Sequence, residues 1–153
     1  MRNVLIGLCL FMSSQLAFGS SSTTQEFNNI SLIKELFNEY AEKLDSSKLD
    51  NYFSKNFILI SNNEQDSYAK FKKEQTLLFN NLKSLKVLSI DDLIAKDNKV
   101  VGRVSIKLTP KSGEPQIYYN IFIAQIKDHK IEKMWEVLYP SWDEKLLTTA
   151  EKK

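Results

Sequence analysis

The second half of this chain carries consecutive strand patterns, and these limit the fold more than any other feature. Between residues 100 and 108, apolar residues hold one parity and polar residues the other, as in a strand that buries one face. Residues 117–126 are apolar on both parities, so we expect this strand to be covered on both faces. Further strands are predicted over residues 85–95 and 131–139, which makes four strands joined by short turns.

Helix patterns come before these strands. The strongest is an apolar stripe with helical spacing, formed by Ile33, Leu36, Phe37, Tyr40, Ala41 and Leu44. A short second helix is predicted at Ser47-x-x-Asp50, a short strand over residues 57–60, and a third helix capped by Asp66 or Ser67. Helices segregated from consecutive antiparallel strands indicate an α+β domain, with three N-terminal helices packed on a strongly curved, mostly antiparallel sheet.

The N-terminus has the pattern of a signal peptide over residues 1–19. Arg2 is followed by an apolar segment at residues 4–12, and Ala17 and Gly19 are the small residues before a cut near Ser20. The apolar segment is too short to cross about 30 Å of hydrocarbon. The pattern predicts a bacterial protein that is exported, periplasmic or secreted, and that keeps no stable membrane span after cleavage.

The remaining composition excludes several classes of site and partner. Cys9 is the single cysteine and lies inside the predicted signal peptide, and His129 is the single histidine. We therefore predict no metal site and no disulfide. A net charge of +2 does not indicate a nucleic-acid-binding protein, and the sequence has no phosphate-binding glycine loop, so no cofactor is predicted.

Two segments give the chain a resemblance to a known superfamily. Residues 97–101 read D-N-K-V-V, and residues 128–140 read D-H-K-I-E-K-M-W-E-V-L-Y-P. Both resemble segments of the SnoaL-like branch of the nuclear transport factor 2-like superfamily. The resemblance implies a cone-shaped fold over residues 29–143, after a flexible leader at 20–28 and before a C-terminal tail at 144–153.

The same resemblance points to candidate site residues. Catalytic relatives often place a His and an Asp at the positions of Met134 and Glu136, and an isomerase-type base would lie near Ser61 and Asn62. Methionine has no proton chemistry, so the match is incomplete.

Glu136 remains the best candidate for a catalytic group, because burial would raise its pKa toward that of a general base. The alternatives are a structural carboxylate paired with a lysine or with Arg103, or a side chain that is simply exposed to solvent. Tyr40, Tyr118, Met134 and Leu138 are the predicted ligand-binding residues around it, although aromatic residues at such positions more often form core.

Three functions are compatible with these patterns. The first is an exported, non-catalytic protein that binds a small apolar ligand or a protein partner. The second is an isomerase, cyclase or dehydratase with Glu136 as general base. The third is an assembly domain of an envelope or secretion complex, which requires a large exposed apolar surface. The two apolar faces of residues 117–126 also predict a homodimer.

Overall fold

A computed structural model describes residues 20–140 and shows an α+β fold with helices on one face of a six-stranded sheet. The predicted signal peptide and the tail at 144–153 lie outside the described residues. The helices are α1 (Ser20–Glu35), α2 (Leu49–Tyr52) and α3 (Tyr68–Asn81). Helix α1 continues as a π-helical turn at Leu36–Ala41, and a 3-10 turn at Ser46–Lys48 precedes α2. The strands are β1 (Phe53–Ser61), β2 (Glu64–Ser67), β3 (Leu82–Lys96), β4 (Lys99–Pro110), β5 (Gln116–Lys127) and β6 (Lys130–Tyr139). The predicted fold class is confirmed.

The order of strands in the sheet is β2-β1-β6-β5-β4-β3. Strands β1 and β6 run parallel, and every other neighbouring pair is antiparallel. The pairing of β3 with β4 shifts register at three places along its length, and such bulges bend a strand and increase its twist. The bent sheet encloses the helices on its concave face, which we call the inner face.

Helix α1 starts earlier than the sequence suggests. Residues 20–28 were expected to form a flexible leader, but the helix begins at Ser20. The middle of α1 contacts the turn between β3 and β4: Asn29 Nδ2 donates to the Asp97 carbonyl over 3.1 Å, and the Asp97 amide donates to Glu26 Oε1 over 3.2 Å. These long-range contacts fix a polar segment whose own helix propensity is weak.

Strands β4 and β5 alternate between the two faces of the sheet. On β5, alternate residues from Tyr118 to Ala124 are buried on the inner face, whereas Tyr119, Ile121 and Ile123 between them are exposed. The expectation that β5 is covered on both faces is therefore wrong within a single chain, because helices cover only the inner face. Among residues 20–140, no helix is long and apolar enough to cross a membrane.

Strand β2 is the element that the sequence analysis missed. Asn62 and Asn63 both have positive φ, 48° and 72°, and form the tight turn that pairs Glu64–Ser67 with the end of β1. Left-handed asparagines are favoured in such two-residue hairpin turns. The all-polar β2 has no apolar face of its own, so its sequence does not predict a strand.

Candidate functional site

Three polar side chains meet on the inner face, where the sheet is otherwise apolar. Strand register places Glu136 of β6 opposite Ser61 of β1 on one side and opposite Phe122 of β5 on the other. Asn120 Nδ2 donates a hydrogen bond of 2.7 Å to Glu136 Oε2, and the Ser61 hydroxyl also hydrogen-bonds to this carboxylate. We call Ser61, Asn120 and Glu136 the polar triad.

The carboxylate of Glu136 lies in a poorly solvated position. Burial raises the pKa of Glu136 above its ordinary value, while the hydrogen bonds from Asn120 and Ser61 oppose that rise. Within residues 20–140 no lysine or arginine forms an ion pair with it. Arg103, the alternative partner predicted from the sequence, lies near Asp91 Oδ2 and Asp92 Oδ2, at 3.8 and 3.4 Å. The carboxylate of Glu136 is therefore hydrogen-bonded only to neutral donors.

Asn120 leaves the triad incomplete. Its side chain is 8% exposed, and its Oδ1 atom has no hydrogen-bond partner among residues 20–140. An unsatisfied buried acceptor costs about 1–3 kcal/mol, and most such groups in native proteins have a partner. The free acceptor next to a buried carboxylate is the chemical feature that most distinguishes this part of the sheet.

Aromatic rings lie next to the triad. The ring of Phe37, in the π-helical turn, lies 5.6 Å from that of Phe122. The Phe122 ring in turn lies over Gly102 of β4, where an added Cβ would approach Phe122 Cζ to 2.9 Å. Gly102 therefore lets the ring lie close to the backbone of β4. The triad therefore has apolar neighbours on the inner face.

The predicted ligand-binding residues do not all lie in the same surroundings. Met134 and Leu138 are buried on the same face as Glu136, as predicted from their shared parity. Tyr118 is fully buried, and its hydroxyl donates to Gln116 Oε1 over 3.0 Å. Their roles toward a ligand stay predictions.

Tyr40 contacts a different part of the core. Its ring packs against Tyr52 and Phe79, with centroids 5.7 and 5.3 Å away. Its hydroxyl has no hydrogen-bond partner among residues 20–140, and burial is the main cause of its raised pKa. The helix residue that contacts Phe122 next to the triad is Phe37.

Asn120 is the site residue that the sequence analysis did not identify. It is the polar residue at the inward parity of β5, between Tyr118 and Phe122, and that position was the available signal. His129 lies in the exposed β5–β6 turn with a positive φ of 59°. Among residues 20–140, no group of three or more His, Cys, Asp or Glu side chains could hold a metal ion.

Comparisons with known proteins agree with this geometry at the level of fold. No family profile and no curated protein matches the sequence. Solved structures do match: AclR from Streptomyces galilaeus, a candidate hydroxylase, superposes with a TM-score of 0.66 at 16% identity and covers 74% of this chain and 90% of its own.

Two further structures give the same result. A candidate SnoaL-like polyketide cyclase from a Jannaschia species has a TM-score of 0.62 at 15% identity, over 74% of this chain and 87% of its own. An LEH-like epoxide hydrolase from M. tuberculosis has a TM-score of 0.64 at 9% identity, over 74% of this chain and 84% of its own. At these identities the likeness shows the fold: the chain has the cone-shaped α+β fold of these solved structures, one of which is named SnoaL-like.

Proposed function

We propose that this is an exported, non-catalytic protein that binds a small, mostly apolar ligand on the inner face of its sheet. The observation that carries the proposal is the unpartnered Oδ1 of Asn120, next to a carboxylate that is already held by two donors. A ligand group that donates one hydrogen bond to this oxygen would complete the triad. Export rests on the signal-peptide pattern of residues 1–19.

The chemistry of the triad favours binding over proton transfer. Met134 lies at the position where catalytic relatives often carry a histidine, so the general acid or base of that position is missing. Burial raises the pKa of Glu136, but the hydrogen bonds from Asn120 and Ser61 stabilise its charged form and oppose that rise, so they limit its strength as a base. The structural neighbours are named as a hydroxylase, a cyclase and an epoxide hydrolase, but a shared fold does not transfer an activity.

The ligand class follows from the surroundings of Asn120. The buried Phe122 and the half-buried Phe37 make the surroundings of the triad aromatic, and such surroundings suit a flat or aliphatic body. The free acceptor requires a hydroxyl or N–H on that body. A carboxylate or phosphate is disfavoured, because Glu136 would repel a second negative charge in a poorly solvated position.

Titration calorimetry with matched probes tests the proposal. 2-Naphthol and 2-methoxynaphthalene have the same flat body, but only the first can donate a hydrogen bond. We expect 2-naphthol to bind about tenfold more tightly, which corresponds to about 1.4 kcal/mol. The difference should disappear in Asn120→Leu. Asn29→Ala is the control, because Asn29 is also buried but already donates to the Asp97 carbonyl. Equal affinities for both probes in the wild-type protein would contradict the proposal.

A further inference from the structure

The outer face of the sheet, opposite the helices, carries an exposed apolar surface that the proposed ligand site does not use. Six apolar residues of β4, β5 and β6 on this face are between 39% and 72% exposed. We call them the outer patch: Val101, Tyr119, Ile121, Ile123, Val137 and Tyr139. Their exposed area is on the order of 600 Å², at the upper end of the range for the largest apolar patch on a typical monomer, and such patches are often functional.

Strand register makes the outer patch one continuous surface. Ile121 of β5 pairs with Val137 of β6, and two residues along Tyr119 pairs with Tyr139. On its other side, β5 pairs with β4 at Val101. Directly paired residues point to the same face of a sheet and lie within contact distance. The outer patch therefore extends over three neighbouring strands.

Two lysine pairs flank the outer patch on the same face. In the register of β3 and β4, Lys99 lies opposite Lys96, and Lys107 lies opposite Lys86. Lys99 and Lys107 share the exposed parity of β4 with Val101. Like charges directly opposite one another destabilise a sheet. The face therefore holds an arrangement of cations that does not stabilise the isolated chain.

The acidic side chains near this face leave much of its positive charge without a partner. Asp91 lies beside Arg103, and Glu26 Oε1 lies 3.5 Å from the Lys96 ammonium. Among residues 20–140, the following outer-face lysines have no carboxylate partner: Lys86, Lys99 and Lys107. An identical face would bring the same excess of cations, whereas an anionic surface would offset it.

The aromatic residues of the face distinguish a lipid surface from a soluble anion. Trp135 borders the outer patch, since it pairs with Ile123, and the Lys133 ammonium lies 4.6 Å from the centre of its ring. Tryptophan and tyrosine are enriched at membrane–water interfaces, and Tyr119 and Tyr139 are both exposed. Binding to a membrane surface scales with the apolar area that enters the headgroup boundary and with attraction of cations to anionic lipids.

We propose that the outer face binds the surface of an anionic lipid membrane, with the outer patch in the boundary between headgroups and acyl chains and the flanking lysines on the lipid phosphates. The proposed ligand site on the inner face takes no part in this contact. Membrane binding is therefore independent of whether a ligand binds to the polar triad.

Sedimentation of the purified protein with vesicles tests the proposal. Phosphatidylcholine vesicles are compared with vesicles in which about one third of the lipid is the anionic phosphatidylglycerol. We expect at least about tenfold stronger binding to the anionic vesicles at low salt, and the difference should shrink as the salt concentration rises. Residues 1–19 are the same in every variant compared below, so the predicted signal peptide does not affect those comparisons.

A double substitution tests the lysines. Lys86→Gln with Lys107→Gln should weaken binding to the anionic vesicles by about tenfold or more, because it removes two cations from the outer face. The variant should be at least as stable as the wild-type protein, since it also removes an opposed pair of like charges. Lys34→Gln with Lys48→Gln is the matched control, because it removes the same charge from the helices and should leave binding unchanged.

A single substitution tests the outer patch. Ile121→Glu should weaken binding at least about tenfold, because it would place a carboxylate against the acyl chains. Phe27→Glu is its control, since Phe27 is 69% exposed on α1 and lies away from the sheet's outer face. If Ile121→Glu loses the circular dichroism spectrum of the wild-type protein, the lysine variants decide the test.

Several results would overturn the proposal. The wild-type protein would bind neither kind of vesicle, or both equally well, or the variant of Lys86 and Lys107 would bind as tightly as the wild-type protein. A dimer in the absence of vesicles that Ile121→Glu dissociates would assign the face to a second copy. Equally tight binding to soluble polyglutamate would assign it to an acidic protein.

Discussion

The two faces of β5 carry similar apolar residues but have different surroundings. Tyr118 and Phe122 on the inner face are at most 1% exposed, whereas Tyr119 and Ile121 on the outer face are 48% and 56% exposed. Hydrophobicity alone does not separate the two sets, since both are strongly apolar. Their position along the strand decides which face they lie on, and the helices cover only one of the two faces. An informative residue is therefore one whose polarity does not match its exposure: Asn120 is polar but buried, and Ile121 is apolar but exposed.

Truncating one residue on each face of β5 tests the difference between the two faces most directly. We expect Phe122→Ala to lower the free energy of unfolding by about 3–5 kcal/mol, because it removes a ring packed against Phe37 and Gly102. Ile121→Ala should cost less than about 1 kcal/mol when the protein is dilute enough to be monomeric. Urea unfolding at low protein concentration measures both values, and equal losses would contradict the assignment of the two faces.

The pH dependence of stability sharpens the description of the inner face. The pKa of Glu136 is raised in the folded protein above its ordinary value of 4.5, so between these two values the folded state binds more protons than the unfolded state. Stability should therefore fall as pH rises from about 4.5 through the raised folded pKa, and the loss should persist at neutral pH.

Glu136→Gln tests this sign. The amide keeps an acceptor for Asn120 and removes the charge, so we expect stability to rise by about 1–2 kcal/mol at neutral pH and the loss above pH 4.5 to disappear. Thermal unfolding between pH 4 and pH 8 measures it. A variant that is less stable than the wild-type protein at neutral pH would mean that the charge of Glu136 stabilises the fold.

A second buried asparagine offers a contrast to Asn120. Asn29 is 4% exposed and donates to the Asp97 carbonyl, so Asn29→Ala should cost about 1 kcal/mol through loss of this hydrogen bond. Hydrogen exchange should then show reduced protection in the first turns of α1. Unchanged stability and protection would mean that this contact does not hold the N-terminal half of the helix.

The smallest effect is expected at Arg103, an exposed cation on β4. Arg103 is an exposed residue beside Asp91 and Asp92, so Arg103→Gln should change the free energy of unfolding of the monomer by about 0.5 kcal/mol or less, with no effect left at high salt. Urea unfolding at two salt concentrations measures this. A larger loss that persists in high salt would indicate that Arg103 packs as part of the core.

The parts of the fold that the sequence predicts are those with local periodicity. The alternation along β4 and the apolar stripe from Ile33 to Ala41 can each be seen within a short stretch of sequence. The structure buries the apolar residues of both patterns, with Phe37 half-buried. The N-terminal half of α1 and the strand β2 could not be predicted in this way. The first is held by contacts with residue 97, and the second by its pairing with β1.

The candidate site was predictable only in part for the same reason. The inward position of Glu136 follows from its parity with Met134 and Leu138. Its partners Ser61 and Asn120 depend on the register of three strands, two of which are far apart in the sequence. Tyr40 was expected next to Glu136, but it lies within a π-helical turn, whose different pitch shifts the phase of a helical stripe. Phe37 takes the position over Phe122 instead.

Native mass spectrometry of the protein purified from the organism that produces it tests the central claim most directly. We expect a protein that begins near Ser20 and carries additional non-covalent mass, with the added mass lost in Asn120→Leu and retained in Asn29→Ala. Wild-type protein without added mass, or an Asn120→Leu variant that retains the same ligand, would contradict the claim that the incomplete polar triad on the inner face is a binding site.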